Sequence, residues 1–187
     1  YASQGGTADY FGITYEKISG QNGVFWPCPT EDHPGTPRLY EDTFGFPDGR
    51  AKFHPITYLP PAEEPDDEYP LVLTTGRVVY HYLSGNQTRR TPFLLEMAPC
   101  PWVEMHESAA ARFGIADGDW VTVRTRRGEM TAPALVVRSI RPDTIFIPYH
   151  YGHDQAVNIL TNPVLEPMNK IPEYKVCAAA LVNAVAP

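Results

Sequence analysis

A run of hydrogen-bond donors begins at Thr74-Thr75-Gly76-Arg77, directly after the apolar stretch Leu71-Val72-Leu73. A strand that turns on glycine exposes backbone N–H groups, a threonine hydroxyl adds a donor, and arginine supplies a planar charged fork. Together these suit a phosphate or a polar heterocycle. His81, Ser84, Gly85, Asn86, Gln87, Thr88, Arg89 and Arg90 follow closely, and Gly85 permits near approach of backbone. A second polar cluster, Tyr149-His150-Tyr151-Gly152 with Asn158 and Lys175, stands near the other end of the chain. Their separation in sequence leaves open whether the two clusters meet in space.

Other chemistries lack their residues. No Gly-x-Ser-x-Gly elbow is present, and Ser84 and Ser108 sit in no activating context. His150-x-x-His153-Asp154 carries ligand-type residues in loose spacing, which reads better as a loop histidine bonded to backbone than as a metal site. Neither a Gly-x-x-x-x-Gly-Lys loop nor a Gly-x-Gly-x-x-Gly turn occurs, so the usual signals for ATP and NAD are missing. Cys28, Cys100 and Cys177 are far apart and odd in number. They form no disulfide framework and no Cys-x-x-Cys unit, and read as idle thiols of a reducing, cytoplasmic compartment.

The elements that must position the two clusters are mostly strands. The chain has 187 residues with 20 Pro and 14 Gly, which argues against a helical bundle and for short strands and turns. Strands are expected at Leu71–Thr74, Val103–His106, Trp120–Thr125, Glu129–Val137 and Thr144–Ile147. Val121 and Val123 alternate with Thr122 and Arg124, and Met130, Ala132 and Ala134 share one face of the next strand. Glu107–Phe113 reads as a short helix stopped by Gly114. The run Val176–Val185 fits strand or helix by pattern, and its valines favour strand. Such a set fits a compact barrel.

The part before this is different. Residues 1–70 hold 12 acids and 4 bases, net −8; the remaining 10 acids and 11 bases leave +1, and nine of those bases are Arg. A net charge of −7 over the whole chain rules out a general nucleic-acid binder, and no apolar run is long enough to span a membrane. Pro60-Pro61-Ala62-Glu63-Glu64-Pro65-Asp66-Asp67-Glu68 reads as a solvated linker, which puts the start of the compact domain at Tyr69. Residues 1–68 are then a loop-rich extended segment. Pro47-Asp48-Gly49 between Thr43–Phe46 and Ala51–His54 predicts a hairpin, and the Pro-rich segment as a whole reads as extended chain lying on another surface, with Ile13, Val24, Phe25, Trp26, Phe44 and Phe46 as its expected contacts. The first residue is Tyr1 and no secretory signal is visible, so the sequence reads as a mature product or a fragment.

Taken in order, these motifs resemble a known family. Leu73-Thr74-Thr75-Gly76-Arg77, His81 and Thr88-Arg89-Arg90 resemble the opening of the molybdopterin-dinucleotide-binding domain, the C-terminal domain of molybdenum and tungsten bis-guanine-dinucleotide oxidoreductases. Phe113-Gly114-Ile115-Ala116-Asp117-Gly118-Asp119 is similar to that domain's helix-ending turn, and Arg126-Arg127-Gly128 to its hairpin tip. Ile147-Pro148-Tyr149-His150, Asn158-Ile159-Leu160-Thr161 and Pro172-Glu173-Tyr174-Lys175-Val176-Cys177-Ala178 are similar to its closing segment. Gly12-Ile13-Thr14-Tyr15, Gly23 to Pro29, His33 to Pro37 and Asp48 to Phe53 more loosely resemble the segment before that domain in formate dehydrogenase catalytic subunits. Assimilatory nitrate reductases carry related text.

The resemblance implies a mainly β fold, a double-psi β-barrel with one or two short helices over residues 69–187. It implies that Thr75, Gly76, Arg77, His81, Ser84, Thr88, Arg89, His150, Asn158 and Lys175 contact one molybdenum (or tungsten) bis-molybdopterin guanine dinucleotide. No catalytic residue and no metal ligand falls in this stretch. The family's 4Fe-4S cluster and its metal ligand belong to an N-terminal part that is not in these residues. The implied parent reaction is oxidation of formate to carbon dioxide, with electrons leaving through iron–sulfur centres. The implied partners are the rest of the catalytic subunit and iron–sulfur or diaphorase subunits, with no nucleic acid and no direct membrane insertion. Reduction of nitrate or of a sulfur or arsenic oxyanion is the alternative within the family; a non-catalytic binding module on the same barrel is the alternative outside it. Gln87 stands where some relatives have Met just before the Thr-Arg pair.

Overall fold

A computed structural model describes residues 9–183. The chain divides into two compact units, Tyr1–Thr57 and Tyr58–Pro187.

Among the described residues of the first unit the one regular element is α1 (Tyr15–Gly20). The Thr14 side chain caps it by accepting from the Lys17 amide. The rest is held by polar knots. Lys17 Nζ donates to the Gly12 and His33 carbonyls at 3.2 and 2.7 Å and lies 3.5 Å from Cys28 Sγ, which is fully buried. Gly12 is packed so tightly that a Cβ there would come within 1.9 Å of the Thr30 carbonyl oxygen. The predicted hairpin is a turn without a ladder. Phe44 N–H donates to Gly49 O and Gly49 N–H to Phe46 O, with Gly49 at φ +67°, but no strand flanks it. A lone two-stranded ribbon is marginal in water, so the turn chemistry survives and the strands do not. Phe25, Trp26, Phe44 and Phe46 remain exposed in the described structure.

The second unit is mainly β. Its strands are β1 (Leu71–Gly76), β2 (Val103–His106), β3 (Trp120–Arg124), β4 (Glu129–Val137), β5 (Thr144–Pro148) and β6 (Cys177–Asn183). They close into one barrel in the order β1-β5-β2-β4-β3-β6. Two pairs, β1 with β5 and β2 with β4, are parallel and the others antiparallel. This is the expected double-psi barrel. Closure leaves no free edge in the ring. The expected end of β6 near Val185 lies outside the described residues.

Alternation sets the core. Leu71, Leu73, Val103, Met105, Val121, Val123, Ile145 and Ile147 point inward and are buried to within 1%. β4 contains Pro133, an unusual residue for the middle of a sheet. It sits where β4 hands over from β3 (register ending at Trp120↔Pro133) to β2 (register beginning at Val103↔Ala134), a point where the missing N–H breaks no ladder. Two short helices, α2 (Pro92–Met97) and α3 (Glu107–Phe113), complete the unit. α3 ends on Gly114 at φ +66°, as its sequence requires.

The unit that holds the barrel takes in the residues from Tyr58 onward. The acidic stretch read as a solvated linker is fastened to the barrel through Glu63, whose side chain is only 11% exposed.

Candidate functional site

Parallel pairing of β1 with β5 places Gly76 opposite Pro148, so the residues leaving the two strands, Arg77 and Tyr149, emerge side by side. Arg77 Nε donates to the Tyr149 hydroxyl at 2.5 Å. That hydrogen bond comes first among the causes that raise the guanidinium above its ordinary pKa, so the fork is a fixed positive charge. Arg77 is exposed, and its Nη groups bond no described residue.

A cleft of about 560 Å³ opens beside this pair. Thr75 and Tyr149 form one wall; Asn158, Thr161 and Asn162 a second; Pro172 and Tyr174 a third. The last segment is tied directly to the first. Lys175 Nζ donates to the Thr75 carbonyl, and the Thr75 hydroxyl donates to the Tyr174 carbonyl at 3.3 Å. Two stretches a hundred residues apart thus make one mouth.

Asn162 organises the loop between them. Its Nδ2 donates to the Glu173 and Val176 carbonyls, both at 2.9 Å, and its Oδ1 accepts from the Val164 amide at 3.0 Å. The residue is buried. Each side-chain group is used on backbone, so the loop carrying Asn158 and the segment carrying Tyr174 are fixed to each other.

Behind the Arg77–Tyr149 pair lies a buried aromatic cluster of His81, His150 and Tyr151. His150 Nε2 accepts from the Val78 amide at 2.8 Å, and Nδ1 meets the Leu83 carbonyl at 2.5 Å. This requires the proton on Nδ1 and a neutral ring. Burial lowers the His150 pKa, the Leu83 carbonyl works against that, and the charges of His81 and Arg77 lower it further. His81 Nε2 meets the Ala98 carbonyl at 2.8 Å and Nδ1 meets the Thr88 hydroxyl, which also accepts from the Tyr82 amide. The Tyr151 hydroxyl donates to the same Ala98 carbonyl, and burial pushes its pKa up to about 12. The cluster therefore pins the loop from Val78 to Thr88, including the turn at Gly85 (φ +71°).

The sequence-predicted residues sort accordingly. Thr75 and Asn158 line the cleft; Arg77 and Lys175 border it through Tyr149 and Thr75. His81, Thr88 and His150 are spent on backbone and on one another. Gly76 is packed against the Phe146 ring, which a Cβ would meet at 2.5 Å. Ser84 is exposed and lines no part of the cleft. Arg89 holds a buried Nε with no partner among the described residues, an orphaned donor on the pinned loop. Thr161, Asn162 and Tyr174 are lining residues that sequence reading missed, although Asn162-Pro163 is a turn signal. Among the described residues no group of three or more His, Cys, Asp or Glu is placed to hold a metal ion. No described helix is long and apolar enough to cross a membrane.

The donor set fits a dinucleotide. A free guanidinium fork, a lysine, an orphaned buried arginine Nε and an exposed carboxamide suit pyrophosphate and a heterocycle edge. Comparison with known proteins agrees. A family model described as "Molydopterin dinucleotide binding domain" matches residues 71–178. The chain is 42% identical over 183 residues to an assimilatory nitrate reductase catalytic subunit of Bacillus subtilis, covering 97% of this chain and 26% of that protein. It is 43% identical over 173 residues to the F420-dependent formate dehydrogenase 1 subunit alpha of Methanococcus maripaludis, covering 92% and 25%. The chain thus spans about a quarter of the length of the curated relatives it matches. Among solved structures, the acetylene hydratase of Pelobacter acetylenicus superposes with a TM-score of 0.57 at 20% identity, over 63% of this chain and 19% of that one, which shows a shared fold. A barrel of this order, with this cleft at its mouth and this family match across its strands, makes the chain a member of the molybdopterin dinucleotide-binding domain family of molybdenum oxidoreductases.

Proposed function

We propose that the chain is the cofactor-clamping C-terminal part of a formate dehydrogenase catalytic subunit holding a molybdenum or tungsten bis-molybdopterin guanine dinucleotide. One observation carries the reading: the β1 end and the Tyr174–Lys175 segment converge on a single donor-lined cleft. Arg77, steadied by Tyr149, presents its free Nη groups to pyrophosphate oxygens. Asn158 reads a heterocycle edge, and Lys175 adds a point charge from its anchorage on Thr75. The buried histidines orient the loop, because both ring nitrogens of each are committed to hydrogen bonds within the chain.

When bound, the cofactor supplies two-electron redox chemistry at its metal; these residues fix its position and exclude water from one side of it. The iron–sulfur centre, the metal ligand, the rest of the catalytic subunit and any iron–sulfur or diaphorase partner are assigned to parts outside these residues. The reduced thiols Cys28, Cys100 and Cys177 fit a cytoplasmic setting. Nitrate reduction is the second reading, favoured by the 42% identity to the Bacillus subtilis enzyme.

The test is an assay of the full-length parent enzyme with a viologen dye. Formate-dependent dye reduction with no nitrate-dependent dye oxidation is the expected result. The reverse pattern assigns the nitrate reading, and neither activity overturns both.

A further inference from the structure

The strap of residues 58–69, which precedes the matched domain, is fastened to both loops of the cleft. The Glu63 carboxylate receives a bidentate fork from Arg127 (2.7 and 2.9 Å), a hydrogen bond from Arg126 (2.6 Å) and one from the Ala178 amide (3.0 Å). Arg127 is shared. Its Nε and Nη2 also donate to the Leu160 carbonyl at 3.2 and 2.9 Å. Leu160 lies between Asn158 and Thr161, two lining residues of the cleft. One residue before Glu63, the Ala62 amide donates to Glu173 Oε2 at 2.8 Å. Glu173 belongs to the other lining segment, which Asn162 joins to the first. Glu63, Arg127 and Asn162 border one further recess on the outer side of the same loop.

This is more than a surface ion pair. Exposed pairs such as Arg138–Glu107 and Arg141–Asp143 stand alone and contribute little. Glu63 is mostly buried, and burial works to raise its pKa; the hydrogen bonds from Arg127, Ala178 and Arg126 outweigh that and hold it below the ordinary carboxylate value. A buried carboxylate that loses such partners, or an arginine that loses its carboxylate, leaves an uncompensated charge in place. Without Glu63, Arg127 keeps its hydrogen bonds to the Leu160 carbonyl but loses the carboxylate that fixes its fork from the other side.

We propose that Glu63 is a positioning residue for the dinucleotide cleft, acting through Arg127 to hold the Asn158–Asn162 loop in its ligand-ready place. The inference rests on the reading of the cleft as a dinucleotide site.

The experiment uses the full-length parent polypeptide with Glu63→Ala, Arg127→Ala, the double variant, and Arg138→Ala as a surface control. Three quantities are read: guanine nucleotide retained per polypeptide after mild denaturant, amide hydrogen exchange across residues 157–165, and melting temperature. Glu63→Ala is expected to accelerate exchange in 157–165 but not in β1 or β5, and to lower nucleotide retention roughly tenfold. The double variant is expected to lose no more than Arg127→Ala alone, because the two act as one unit. Arg138→Ala is expected to change nothing. Should Glu63→Ala fail to accumulate, Glu63→Gln, which keeps an acceptor and removes the charge, is expected to give a smaller effect in the same direction. Unchanged exchange in 157–165, or faster exchange with retention unaltered, overturns the proposal. A wild-type polypeptide carrying no guanine nucleotide overturns the reading of the cleft instead; the strap's hold on the loop is then judged by exchange alone.

Discussion

Apolar side chains fare oppositely in the two units. In residues 58–183, Leu73, Met105, Val121 and Ile145 are fully buried within one closed barrel. In residues 9–57, Phe53 and Ile56 are each 91% exposed and Tyr15 92%. The first unit is ordered by backbone carbonyls gathered around Lys17 and by tight passages such as Gly12 against Thr30. The second is ordered by buried area. The described residues 9–57 contribute nothing to the apolar core cluster, so they are expected to open locally before the barrel does. The difference also explains where a ligand site can be built, because precise donors need a rigid frame.

Three changes probe this contrast. Leu73→Ala removes a fully buried side chain from the barrel and is expected to cost about 2–5 kcal/mol. Thermal unfolding of the parent protein checks it, and a change within error would mean that the barrel is not the stabilising core. Gly12→Ala drives a Cβ into the Thr30 carbonyl. It is expected to open residues 9–57 to limited proteolysis while cleavage within 58–183 stays at the wild-type rate; equal acceleration in both units would erase the distinction drawn here. The smallest effect is that of pH. The folded His150 pKa is lowered, so the unfolded chain binds the extra proton first. Its contribution is complete above the ordinary histidine value of about 6.5 and falls as pH drops below that towards the depressed value. Exchange of the Val78 amide, corrected for its intrinsic pH dependence, is expected to rise on acidification through that window. A flat response would contradict the neutral-ring assignment.

The barrel was legible because its signals are local. Alternation in Trp120–Arg124 and Glu129–Val137, and the Gly114 stop after Glu107–Phe113, need no knowledge of partners. α1 was missed because its six residues bury no face, leaving only the Thr14 cap as a signal. In the acidic stretch Glu64 to Glu68 are exposed, as their composition implies, and Glu63 is the departure. Composition reports solvation on average, whereas Glu63 finds its arginine 64 residues along the chain. The same holds for the site. Donor types at Thr75, Arg77 and Asn158 are visible in sequence, but only the parallel β1–β5 register sets Arg77 beside Tyr149. At His150 the sequence already favours a histidine bonded to backbone, while the resemblance implies cofactor contact for His81 and His150; the coordinates supply the partners, Val78 and Leu83 for His150 and Ala98 and Thr88 for His81.

The central claim is that one cleft, bordered by Arg77 from β1 and lined by Asn158 from the distant loop, grips the dinucleotide. Guanine nucleotide released per polypeptide from Arg77→Ala and Asn158→Ala variants of the full-length enzyme, read beside melting temperature, tests it most directly. Both variants are expected to carry markedly less nucleotide, roughly tenfold less for Arg77→Ala, at near wild-type melting temperature. Full nucleotide content in both, with melting temperature sharply reduced, would contradict the account.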